Sequence, residues 1–168
     1  ILNKQDDVIF FVFGPGDQLL VTNYFARNGL QDRVIISGTS DPHVLGRGLD
    51  VFCEQWPFWS GQSSLEVMAK GIPVVSYICG DLSLWPEPYF SLRDSELVTT
   101  SHQEYIDTVI RLLEDKEYYR NKQNSVKEVS KKVTNLDERA KDVGRQILLA
   151  LEQKLETQVN TTDTDLDR

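Results

Sequence analysis

The chain has 168 residues, 40% of them hydrophobic and 26% charged, which suits a soluble domain with one sizeable core. Its 26 acidic residues outweigh 18 basic ones and leave a formal charge of −8, which excludes a broad positive field for nucleic acid or an anionic membrane surface. No apolar run has the length of a transmembrane helix and no charged-then-apolar leader opens the chain, so the expected compartment is cytoplasmic.

The opening "ILNKQDD" lacks an initiator Met and runs almost directly into an apolar stretch, which reads as a segment of a longer protein. "VIFFVFG" (Val8–Gly14) is a continuous apolar run between Asp-Asp and Gly-Pro-Gly, the pattern of a strand buried on both faces. The next stretch changes to helical spacing, with Leu20, Tyr24 and Phe25 on one side, Asp17 as N-cap and Gly29 where a left-handed C-cap belongs. "RVIISG" (Arg33–Gly38) predicts a second strand, "DPHVLGRGL" a short helix or turn, and "DVFCEQ" (Asp50–Gln55) a third strand. "SSLEVMAKG" predicts a helix closed by Gly71, and "PVVSYI" (Pro73–Ile78) a fourth strand.

This alternation predicts a parallel sheet with right-handed crossovers and helices on both faces. After Ile78 comes a Pro- and aromatic-rich stretch, in which the apolar content of "LWPEPYF" (Leu84–Phe90) favours a plug packing aromatic surface between domains over an acceptor- or sugar-facing loop. Helical spacing returns at Ser101, whose pairing with Glu104 is a capping box, and continues through Val126, Val129, Val133, Val143, Ile147 and Leu151 as an expected buried stripe. The domain is expected to span residues 1–155, with 156–168 a polar, disordered tail. Cys53 and Cys79 both lie in apolar stretches and read as buried, reduced thiols.

In a sheet of this kind ligands bind outside the carboxyl ends of the strands. "FGPGDQ" offers Gly14 and Gly16 there but places Leu19 where a dinucleotide fingerprint needs its third glycine, so NAD binding is not expected. The fuller constellation is Gly61-Gln62-Ser63-Ser64-Leu65-Glu66. A glycine lets a phosphate approach the backbone, the following N–H groups open a helix whose positive end favours an anion, and two hydroxyls can donate to phosphate oxygens. Glu66 suits sugar hydroxyls better than phosphate. Taken alone, the same residues also fit an ordinary helix start, with Ser63 as a cap and Glu66 in the first turn.

From Val8 to about Leu151 the sequence resembles the C-terminal, nucleotide-sugar-binding domain of GT-B glycosyltransferases, of the O-GlcNAc transferase and SPINDLY-like branch or of the glycosyl transferases group 1 kind. The resemblance is carried by "NGLQDRVIISG" and above all by Asp50, Pro57-Phe58, Gly61, Ser63-Ser64, Glu66 and Gly71-Ile72-Pro73-Val74-Val75 in that order, with "SELVTTSHQEYIDTVIRLLEDKEYYR" in support.

The resemblance implies a Rossmann-like half of a GT-B fold with C-terminal helices packed on its sheet. It also implies a nucleotide-diphosphate sugar, most often UDP-linked, as donor substrate rather than a resident cofactor. Gly61, Gln62, Ser63 and Ser64 would meet the diphosphate, Glu66 the ribose, and the loop holding Thr39, His43 and Arg47 the base. A non-hydrolysing sugar-nucleotide epimerase and a non-catalytic nucleotide-binding or assembly module are the alternatives that share this architecture.

The departures bear on the reaction. Phe58 stands where many retaining enzymes carry a second glutamate, and Glu54 is too far upstream to replace it. Only Lys4 is available before Val8 in place of the basic residues that the family's preceding strand directs at the diphosphate. The acceptor, glycan or protein, would be held by an N-terminal GT-B domain that this sequence lacks, so no catalytic residue is assigned and the segment alone is expected to be inactive. No metal-ligand spacing is present, and no metal is expected.

Overall fold

The computed structural model describes residues 1–54, 61–79, 95, 97–135, 140–141 and 143–154. The chain forms two compact units, Ile1–Ser130 and Lys131–Arg168.

Strand β1 (Phe10–Phe13) pairs in parallel with β2 (Val34–Ser37), Phe10 opposite Val34 and Phe13 opposite Ser37. Helix α1 (Gln18–Arg27) connects them; Asp17 caps it by accepting the Leu20 N–H at 3.0 Å, and Gly29 turns the chain with φ 68°. A short 3₁₀ turn, Gln31–Arg33, leads into β2. Arg33 then fixes the opening segment: its guanidinium donates to the carbonyls of Leu2 (2.8 Å), Val8 (3.0 Å) and Gln5. One planar cation thereby satisfies three backbone acceptors that no strand partner would reach.

Helix α2 (Pro42–Leu45) follows, then β3 (Phe52–Cys53), α3 (Gln62–Ala69) and β4 (Val74–Tyr77). Strand β5 (Val98–Thr99) adds to β4, and β3–β4–β5 form a second parallel section. The α/β class and parallel pairing agree with expectation, but among the described residues the sheet has two sections rather than one ladder. Between them lies a cavity of about 1420 Å³ lined by Phe10, Phe13, Phe52, Val109, Leu112 and Tyr119 among others. That cavity explains why β1 is only half-buried where its apolar run predicted burial on both faces.

The core lies around α3 and β4. Ser64, Val67 and Met68 are fully buried on one side of α3 (positions i, i+3, i+4), and Val74, Val75 and Ser76 are buried in β4. Gly71 ends α3 at φ 79°, a left-handed conformation that favours glycine, and the end of the Lys127 side chain lies over it.

Successive residues of β3 face opposite ways. Cys53 hydrogen-bonds Tyr105 of α4 (His102–Glu114), while Glu54 reaches Ser64 of α3, so helices cover the two faces as expected. Ser101 caps α4 by accepting the Glu104 N–H at 3.1 Å, and Glu104 reaches back to the Thr100 N–H at 2.9 Å. Asp115 caps α5 (Lys116–Thr134) through the N–H groups of Glu117 and Tyr118, and Val126 and Val129 are buried.

In α1 Leu20 and Tyr24 are 68% and 62% exposed, whereas Val21 and Phe25 are half-buried and Phe25 packs on Phe10. Two expectations about burial need correction. Cys79 is exposed, although Cys53 is half-buried and both are free thiols. In the second unit residues 143–154 are helical, yet Val143, Ile147 and Leu151 are exposed, since its described residues include no sheet to pack on. The expectations for Leu84–Phe90, Pro57-Phe58 and the 156–168 tail fall outside the described residues.

Candidate functional site

The candidate site is built on the carboxyl end of β3 and the start of α3. Backbone pairing continues one residue past β3, with the Glu54 N–H bonded to the Val75 carbonyl at 3.0 Å. The chain re-enters at Gly61, whose φ of 60° and ψ of −120° suit glycine, and α3 begins at Gln62. Among the described residues no side chain caps this helix, and its first turn holds no acidic residue. Among the described residues a Cβ on Gly61 would meet nothing within 4 Å, so it is the backbone conformation rather than crowding that favours glycine here. The first-turn N–H groups of this eight-residue helix thus have no acidic side chain of their own first turn to offset the helix dipole.

The side chains divide. Gln62 is exposed and donates to Glu66 Oε1 at 2.8 Å, which steadies one carboxylate oxygen and leaves the other to accept from elsewhere. Ser63 is half-buried. Ser64 departs from the expected role: it is fully buried, and its hydroxyl donates to Glu54 Oε1 at 2.5 Å. Only the Ser64 backbone N–H is left to serve a ligand at the helix start.

The loop after β2 forms the neighbouring wall. Gly38 accepts the Gly14 N–H at 3.2 Å, and the Ser37 and Ser40 hydroxyls bond each other at 2.9 Å, which fixes the strand end. Asp41 caps α2 through the His43 N–H at 2.8 Å. Helix α2 packs against α3, so the element carrying His43 adjoins the one carrying Ser63 and Glu66. Thr39, His43 and Arg47 are all exposed. Among the described residues no ion pair joins Arg47 to Asp50.

Sequence reasoning missed the group that organises this edge. Glu54 is 6% exposed and accepts from Ser64 of α3 and from the Ser76 hydroxyl of β4, tying three elements together through one carboxylate. Its signal was its position two residues after Phe52, hence on the same buried face of the strand. On the opposite face, burial pushes the Cys53 thiol above its ordinary range and the Tyr105 hydroxyl higher still, so both are neutral near pH 7.

None of the eight candidate residues lines the large cavity between the two sheet sections. Among the described residues no cluster of three His, Cys, Asp or Glu side chains is placed to hold a metal, and no helix is long and apolar enough to cross a membrane.

No family model matches the sequence, and no curated protein matches it significantly. Solved structures do match the fold. An O-GlcNAc transferase mutant from Thermobaculum terrenum superposes with a TM-score of 0.68 over 86% of this chain at 20% identity. The chain spans 31% of that protein's length, about a third. The likeness is one of fold: a Rossmann-type α/β unit such as GT-B glycosyltransferases contain.

Proposed function

We propose that the chain is the donor-binding part of a glycosyltransferase, holding a nucleotide-diphosphate sugar at the start of α3 for transfer to an acceptor bound by another domain. The observation that carries this reading is the helix start at Gly61, without a side-chain cap among the described residues, following a parallel strand and flanked by α2. Backbone N–H groups aimed at a pyrophosphate suit an acidic protein, because they concentrate positive potential without a basic surface. The fold it shares with an O-GlcNAc transferase supports the same reading.

In this assignment the N–H groups of Gln62, Ser63 and Ser64, with the Ser63 hydroxyl, bind the diphosphate. Glu66 accepts from the ribose through the oxygen that Gln62 does not engage, and Thr39, His43 and Arg47 border the base. UDP is the expected nucleotide. The leaving diphosphate would be stabilised by the helix dipole as charge develops on it.

Calorimetry with UDP, GDP and ADP tests the proposal. Micromolar-to-millimolar UDP binding is expected, weakened about tenfold by Glu66→Ala, since one hydrogen bond to a charged group is worth roughly 1.5–3 kcal/mol. No heat with any nucleotide at millimolar concentration would refute it and leave a non-catalytic module.

A further inference from the structure

The two sheet sections present strand edges to the cavity between them. In β3 the Phe52 N–H bonds the Pro73 carbonyl at 2.9 Å and the Glu54 N–H bonds the Val75 carbonyl at 3.0 Å. The alternate residues Val51 and Cys53 therefore direct their main-chain groups away from β4. In β1 the Gly14 N–H bonds the Gly38 carbonyl at 3.2 Å, and the Val8 carbonyl accepts from Arg33 just before β2. By the same alternation Ile9, Phe11 and Phe13 direct theirs away from β2. These residues all line the cavity of about 1420 Å³, and among the described residues no strand pairs with either edge.

The space admits one strand. Phe13 of β1 and Phe52 of β3 meet across it with ring centroids 6.2 Å apart. Paired strands lie about 4.8 Å apart, so two strands separated by a third lie about 9.6 Å apart, a span that aromatic side chains cross and main-chain hydrogen bonds do not. A strand of about five residues is about 17 Å long; across about 4.8 Å of sheet width and a layer about 10 Å thick it takes up about 800 Å³, which the cavity holds. Phe25 of α1, Val109 and Leu112 of α4 and Tyr119 of α5 add apolar walls, and Ile9 is left 65% exposed.

We propose that this cavity is a docking site for one extended polypeptide segment from outside residues 1–168, which enters between β1 and β3 and joins the two sections into one continuous sheet. The occupant is an uninterrupted apolar run of about five residues without proline, because an inner strand is covered on both faces and bonds on both edges. A second copy of this chain suits the site poorly: its described strands already sit in ladders, so donating one would unfold it. An apolar small molecule would fill the volume but leave main-chain groups, repeating about every 6.7 Å along each edge, unmatched. The inference is independent of the donor site, since none of the candidate residues there lines the cavity.

The test adds the end-capped probe peptide Lys-Val-Ile-Val-Val-Ile-Glu to the full 168-residue chain, read by calorimetry and by residue-resolved amide exchange in NMR. Binding should carry a negative heat-capacity change. Exchange at Phe11, Phe13 and Cys53 should slow at least about threefold more than at Val12 and Glu54, whose N–H groups already face β2 and β4. The same peptide N-methylated on alternate residues keeps its apolar side chains and loses the donors of one edge, so it should bind at least about threefold more weakly. Equal binding of the two peptides, or binding without that alternating protection, overturns the inference in favour of apolar adsorption. Protection of Phe11, Phe13 and Cys53 in the dilute chain alone overturns it too, as does protection that rises with protein concentration together with a dimer mass in sedimentation, which assigns the cavity to a second copy. No heat and no protection at millimolar peptide also overturns it, while UDP calorimetry on the same sample decides the donor site separately.

Discussion

Replacing Ser64 with alanine separates two roles that a hydroxyl at a helix start can play. Facing a ligand, it would contribute affinity and little stability. The structure turns it inward, fully buried, with its proton on Glu54 Oε1 at 2.5 Å. Removing it strips one donor from a carboxylate that is 6% exposed and has no ready access to water. A hydrogen bond to a charged group contributes about 1.5–3 kcal/mol, and the larger value applies when the partner stays buried. For a chain of this size each kcal/mol shifts the melting temperature by about 2–4 °C, so Ser64→Ala should lower it by roughly 3–12 °C. Urea unfolding followed by circular dichroism gives the same free energy independently. UDP affinity, measured well below the transition, should change less than about twofold, because the backbone N–H of residue 64 survives the substitution. Unaltered stability together with a tenfold loss of affinity would refute this account and return Ser64 to the ligand.

Other perturbations address the neighbouring residues. Gly61→Ala meets no atom within 4 Å but must hold φ near 60°, so it should cost about 1–2 kcal/mol of stability and weaken UDP binding by shifting the first N–H groups; normal affinity would argue against the helix start as the site. Iodoacetamide at pH 8 should modify the exposed Cys79 and spare Cys53, whose thiol burial holds it protonated; equal labelling, read by mass spectrometry, would contradict the structure. Cys53 and Tyr105 both have raised values, so their stabilising contribution is full below the ordinary thiol value of 9.0 and is lost as pH climbs above it. Melting temperature should therefore fall on the alkaline side, and a flat profile from pH 8 to 11 would contradict their burial.

What the chain could declare by itself was local. Helix caps at Asp17 and Ser101, the left-handed turns at Gly29 and Gly71, and the alternation of apolar runs with helical spacing all depend on residues within a few positions of one another. So does the strand-to-helix passage through Gly61, and with it the candidate site. Tertiary structure decided the direction of side chains and the identity of distant partners. Ser63 and Ser64 are adjacent and chemically alike, but helical geometry turns Ser64 into the core and leaves Ser63 half-exposed.

Glu54 is a charged residue at a strand end, a position that usually signals solvent; it is buried because Ser64 and Ser76, ten and 22 positions away, converge on it. Val143, Ile147 and Leu151 carry the apolar spacing of a buried face and remain exposed. Periodicity states which residues could share a face, and only the packing of one element on another supplies the surface that removes them from water.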